Sequence, residues 1–195
     1  MKTQNRFAIT IVLMIASLLL ALPAMASQVV YSNGPYNDIP DDGWTINFGY
    51  SVADSFYLGA STEVTGAIFY VWEFPGDSMT SVQWEIGTGS GVPIRGGVAD
   101  ATNSHGQGLL TDWSNPYGYS PDVITLTLPA FKLPPGTYWL TLSKAHVPSG
   151  DPVYWDENSG VGCTGWMGTK EGCPSKAREN VVGTIPSESF EILEQ

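Results

Sequence analysis

From residue 27 onward, apolar and polar side chains alternate over runs of four to eight positions bounded by Gly, Pro, Asn or Asp, and no window carries a convincing 3.6-residue period. A period of two is that of a strand with one buried face, so the chain reads as all-β. Val52, Phe56 and Leu58 form one such face. Ile124, Leu126 and Leu128 alternate with Val123, Thr125 and Thr127, while Tyr138, Leu140 and Leu142 alternate with Thr137, Trp139 and Thr141. Phe190 and Ile192 do the same near the C-terminus. Asp54 falls on the inward face with Val52 and Phe56, where a bare carboxylate is costly. Either a bulge turns it outward or it is satisfied there, by protein donors in preference to a cation.

Ala67 to Phe74 is apolar at nearly every position, which predicts a central strand covered on both sides, and Pro75-Gly76-Asp77 ends it with turn chemistry. A second strand over Thr80 to Ile86 is expected to return as a hairpin, with Tyr70 opposite Trp84 and Trp72 opposite Val82. Its core face would hold Ile68, Tyr70, Trp72, Val82, Trp84 and Ile86. A short helical turn is expected at Ser175 to Glu179. Eight or nine such strands predict a two-sheet antiparallel β-sandwich of jelly-roll-like topology over residues 27–195, with a closed barrel as the alternative. Gly87 to Asp122 and Asp156 to Gly172 read as long loops, where binding usually resides on a rigid scaffold.

The first 26 residues change the picture. Lys2 and Arg6 precede an apolar run from Phe7 to Leu22, and Ala24-Met25-Ala26 suits signal peptidase. The run counts 16 residues, fewer than the roughly 20 needed to span a bilayer. A cleaved signal peptide over 1–26 is therefore expected, with secretion or periplasmic residence and no later membrane span. In an oxidising compartment Cys163 and Cys173 would pair and staple a Gly-rich loop. The net charge of −11 becomes −13 once Lys2 and Arg6 are removed, and so acidic a surface repels nucleic acid.

Candidate chemistry is sparse. The two histidines, His105 and His146, stand in no nucleophile–base pattern, and no P-loop, H-E-x-x-H or G-x-G-x-x-G occurs. No catalytic residue is assigned. A glycoside hydrolase remains an alternative, because it needs only a pair of carboxyls, and Glu73, Glu85, Asp156 and Glu157 are the acids flanked by aromatics. Calcium is the candidate cofactor: Asp151, Asp156, Glu157 and Asn158 offer oxygens close together. Trp113, Tyr117 and Tyr119, in a stretch of Ser, Asn, Pro and Gly, and Trp139, on a Thr-lined strand face, are candidate rings on which sugars could stack.

Six stretches together carry a family resemblance: Gly43-Trp44-Thr45-Ile46-Asn47-Phe48, Asp54-Ser55-Phe56, Phe74-Pro75-Gly76-Asp77, Leu133-Pro134-Pro135-Gly136-Thr137-Tyr138-Trp139-Leu140, Asp151-Pro152-Val153-Tyr154-Trp155-Asp156-Glu157-Asn158 and Gly183-Thr184-Ile185-Pro186-Ser187-Glu188-Ser189-Phe190. The chain resembles secreted bacterial β-sandwich proteins of uncharacterised function, many of which end in a PEP-CTERM sorting tail. No such tail follows the last expected strand, which ends near Gln195. With no catalytic residue carried over, the leading expectation is a non-enzymatic envelope or extracellular-matrix protein acting by recognition or adhesion. Extracellular polysaccharide and other envelope proteins are its expected partners, and a carbohydrate-binding module is the alternative within binding proteins.

Overall fold

A computed structural model describes residues 27–36, 42–89, 92–105, 118–158 and 175–195. The expected signal peptide, Trp113, Tyr117 and the cysteine pair Cys163 and Cys173 lie outside the described residues.

The alternating segments are strands. In chain order they are β1 (Gln28–Ser32), β2 (Gly43–Thr45), β3 (Ser51–Leu58), β4 (Thr62–Glu73), β5 (Ser81–Gly87), β6 (Pro93–His105), β7 (Ser120–Leu133), β8 (Gly136–His146), β9 (Tyr154–Asp156), β10 (Ala177–Glu179), β11 (Gly183–Ile185) and β12 (Phe190–Glu194). The described residues contain no helix. Pairing is antiparallel and follows one path, β1-β12-β4-β7-β6-β5-β8-β3-β10-β11, with β9 against β4 and β2 against β9.

The path curls strongly, like half a barrel, because β6 changes partner along its length. Pro93 to Asp100 pairs with β5, whereas Ala101 to His105 pairs with β7. A bulge between β4 and β7 adds curvature. The register shifts between Val64, opposite Phe131, and Gly66, opposite Thr127, so the extra residues are on β7, and a Cβ built on Gly66 would lie 2.7 Å from the Leu126 carbonyl oxygen. Only glycine admits so close an approach between the two backbones.

The curl brings the two ends of the path over one core. Phe56 of β3 meets Phe190 of β12 at 6.2 Å between ring centroids and Tyr31 of β1 at 5.8 Å. Trp84 of β5 stacks on Phe131 of β7 at 6.0 Å. The faces read from alternation in β3, β7, β8 and β12 are all buried: Val52, Phe56 and Leu58; Ile124, Leu126 and Leu128; Tyr138, Leu140 and Leu142; Phe190 and Ile192.

Four expectations are corrected. The turn at Pro75-Gly76 forms, with Asp77 N–H donating to the Phe74 carbonyl at 2.9 Å, but β4 and β5 do not pair. β4 lies between β12 and β7, and β5 between β6 and β8, so the chain leaves one half of the curl for the other instead of returning as a hairpin. Val82, Trp84 and Ile86 are in the core as expected. The β4 core face is instead Ala67, Phe69 and Val71, leaving Ile68 and Tyr70 half-buried and Trp72 buried on the opposite face. The expected turn at Ser175 to Glu179 is instead β10, paired with β3. Part of the expected loop over Gly87 to Asp122 is β6, whose residues 93–98 are exposed and so carry no apolar alternation.

Candidate functional site

Two features stand out: a polar cluster closed inside one end of the curl, and a groove on its outer face.

The cluster forms where β9 and β12 share one edge of β4. Phe190 of β12 pairs with Phe69, and Trp155 of β9 pairs with Val71. The chain beyond β9 and the chain before β12 continue alongside each other. Glu157 and Glu188 face one another across an antiparallel bridge, Ser189 N–H donates to the Asp156 carbonyl, and Asn158 N–H donates to the Ser187 carbonyl. Asp54 comes from β3, across the core, because alternation points it inward.

Asp54 is fully buried and held by protein donors. Its Oδ2 accepts from Asn33 Nδ2 at 3.0 Å, Ser187 Oγ at 2.9 Å and the Glu188 N–H at 2.7 Å, while Oδ1 accepts from the Ser55 N–H at 2.6 Å. Of the outcomes left open by the sequence, the structure takes satisfaction by donors, without a bulge. Burial outweighs those bonds and raises its pKa to about 7.

Two indoles hold the β9 acids. Trp72 Nε1 donates to Asp156 Oδ1 at 2.5 Å, and Trp44 Nε1 donates to Glu157 Oε1 at 3.0 Å. Burial raises Glu157 to about 7, the Trp44 bond opposing and nearby Asp42 adding to the rise. Asn158 is buried and donates to Ser187 Oγ at 2.9 Å, and the Ser175 and Ser187 hydroxyls are hydrogen-bonded to each other. Glu188 differs from all of these. It is fully buried, and neither carboxylate oxygen has a hydrogen-bond partner. Burial first, then the charges of Glu157, Asp54 and Asp156, hold its pKa well above the ordinary carboxylate value.

A second acid pair lies between β4 and β7. Glu73 is fully buried, with Oε1 accepting from the Met79 N–H at 2.9 Å. Burial and then the neighbouring Asp122 raise its pKa to about 8.

The outer groove is built by register. Glu85, Thr141, Ala53 and Arg178 form one row across β5, β8, β3 and β10. Two depressions meet at Thr141 and Arg178. Trp139 walls one of them with Glu85, and Asn180 edges the other, which encloses about 270 Å³. Small residues, Ala53, Gly87 and Ser51, keep the floor low. The Arg178 guanidinium carbon lies 4.9 Å from the Trp139 ring centroid, a cation–π contact. Gly89, with φ +84°, comes so close to the indole edge that a Cβ there would overlap Nε1.

The candidate residues from the sequence are thus dispersed. Trp139 faces outward as read, half-buried, and forms a groove wall, not a bare plate. Tyr119 belongs elsewhere, edge-on to Phe74 at 4.8 Å and to Tyr154 at 5.3 Å, so it shares no surface with Trp139. Asp156, Glu157 and Asn158 sit in the buried cluster, whereas Asp151 lies before β9, where its carbonyl accepts from Asn47 Nδ2 at 2.8 Å. Of the four acids considered for hydrolysis, Glu85 lines the groove, while Glu73 and Asp156 are closed off from solvent. His146 Nδ1 is hydrogen-bonded to Thr80 Oγ1 at 2.9 Å. Sequence reasoning missed Glu188 and Arg178. Glu188 sits in Ser187-Glu188-Ser189, just before the alternation of the last strand begins, and Arg178 in a segment read as helical. No family model and no curated protein sequence matches this chain.

Proposed function

We propose that the protein is an exported, non-enzymatic recognition module that binds a polysaccharide chain of the cell envelope or extracellular matrix in the outer groove. On this reading residues 1–26 direct export, and residues 27–195 form a single jelly-roll-like β-sandwich with a Cys163–Cys173 disulfide. The protein is then secreted or periplasmic, related to the exported family whose members carry PEP-CTERM tails.

The observation that carries the reading is the composition of the groove. A sugar offers an apolar C–H face and a rim of hydroxyls, so a site for it needs an aromatic wall and a few fixed polar groups. Trp139 is that wall, and Glu85, Thr141, Arg178 and Asn180 supply acceptors and donors on rigid strands and at a strand end. Binding is favoured over hydrolysis because cleavage needs two free carboxyls across one cleft: Glu85 is the one candidate acid at this groove, and Glu179, which also lines it, is buried with Oε2 held by the Val181 and Val182 N–H groups.

A glycan array probed with residues 27–195 tests the reading. Binding to a polysaccharide class is expected, reduced at least tenfold by Trp139→Ala and by Arg178→Ala. A flat array, or binding indifferent to both substitutions, refutes it.

A further inference from the structure

We propose that the buried end of the curl is a calcium site centred on Glu188 and Glu157, distinct from the polysaccharide groove and independent of it. The starting observation is Glu188. It is fully buried, and both of its carboxylate oxygens lack a hydrogen-bond partner.

Protonation alone does not resolve this, because a neutral acid still carries an O–H that needs an acceptor. Glu73 is left with one unpartnered oxygen, its Oε1 accepting from the Met79 N–H at 2.9 Å, whereas Glu188 has neither oxygen satisfied. For Glu188, its acidic neighbours Glu157, Asp54 and Asp156 act only through charge, and none hydrogen-bonds to it. No Lys, Arg or His figures among the groups acting on Glu188, Asp54 or Glu157. The site therefore gathers buried acids whose ionisation no side-chain cation compensates, and a divalent ion would supply that compensation directly.

Geometry selects the ligands. Glu157 and Glu188 are opposite one another in an antiparallel bridge, and such a pair projects its side chains to the same side with Cβ atoms ~5 Å apart. The Trp44 bond occupies Oε1 of Glu157 and leaves Oε2 for the ion. Asp54 is already saturated by four donors and acts through its field, and Asp156 is held by Trp72. Among the described residues, no three His, Cys, Asp or Glu side chains form a ready-made metal group. Two carboxylates would thus anchor the ion, which would take the remaining oxygens of its sphere from elsewhere. An all-oxygen set of this kind, with no His or Cys, fits a hard cation of flexible coordination such as calcium and not zinc.

The test uses the full exported chain, stripped with chelator and titrated with calcium chloride alone. One ion per chain is expected by calorimetry. Tm should rise by ~5–10 °C at calcium a hundredfold above its dissociation constant. The rise should be larger at pH 8 than at pH 5, because protons and calcium compete for the same carboxylates. Glu188→Gln should abolish the calcium-dependent rise while melting at or above the wild-type Tm in chelator. If that variant fails to fold, Glu157→Gln should weaken calcium binding at least tenfold. A Tm identical in calcium and chelator, or a calcium effect undiminished in the folded variant, overturns the site.

Discussion

Asp54 provides a strong test of how burial governs this fold, and the perturbation is pH. A carboxyl that starts at 3.8 and reaches about 7 when folded holds its proton more tightly in the native state. At ~1.4 kcal/mol per unit, the stabilisation of the protonated form is on the order of 4 kcal/mol. It is complete below about pH 4 and is lost as pH rises through 7. Glu157, at about 7, and Glu73, at about 8, act in the same direction. Exposed carboxylates have largely ionised by about pH 5.5, so a fall above that pH reports the buried groups. With ~2–4 °C of Tm per kcal/mol for a domain of this size, Tm in chelator should drop by on the order of 10 °C between pH 5 and pH 8. Thermal melts followed by circular dichroism measure this directly. Asp54→Asn keeps an oxygen for Asn33, Ser187 and the Glu188 N–H, cannot ionise, and should flatten the slope between pH 5 and 7. A Tm that is level or rising over that range, or an unchanged slope in the variant, would refute the reasoning.

Two further outcomes follow from the backbone. Gly66→Ala forces a Cβ against the Leu126 carbonyl beside the β4–β7 bulge and should cost ~2–3 kcal/mol in a urea denaturation experiment, because neither backbone can yield without disturbing the ladder. A loss under ~0.5 kcal/mol would mean that the bulge does not depend on glycine. Phe48 has φ 55° and is 63% exposed, so Phe48→Gly should relieve a left-handed backbone and stabilise by ~0.5–1 kcal/mol. Destabilisation would show that the ring contributes contacts.

What the sequence disclosed, and what it hid, follows from the range of the interactions. Alternation is local, so it exposed the inward faces of β3, β7, β8 and β12 and even the inward Asp54. Pairing is not local. The Phe74–Asp77 turn was legible from Pro75 and Gly76, yet nothing in residues 67–86 indicates that β5 must pair with β8, more than fifty residues downstream. In β4 the nearly unbroken apolar run has no period, so the face holding Phe69 and Val71 could not be told from the one holding Ile68 and Tyr70. β6 was hidden by exposure of its first half, where Gly96 and Gly97 present no apolar side chain. The polar cluster draws Asn33, Asp54, Asp156 and Glu188 from four distant segments. Only Asp54 sat where a pattern made its burial conspicuous, and Glu188 needed the seam between β9 and β12 to be recognised.

Recognition at the outer groove is tested most directly by ¹⁵N-resolved NMR of the exported chain during titration with soluble envelope polysaccharide fragments. The indole N–H of Trp139 and the amides of Thr141 and Arg178 should shift together and saturably, and the response should vanish in Trp139→Ala. Shifts confined to other faces, or none at any fragment concentration, would contradict the account.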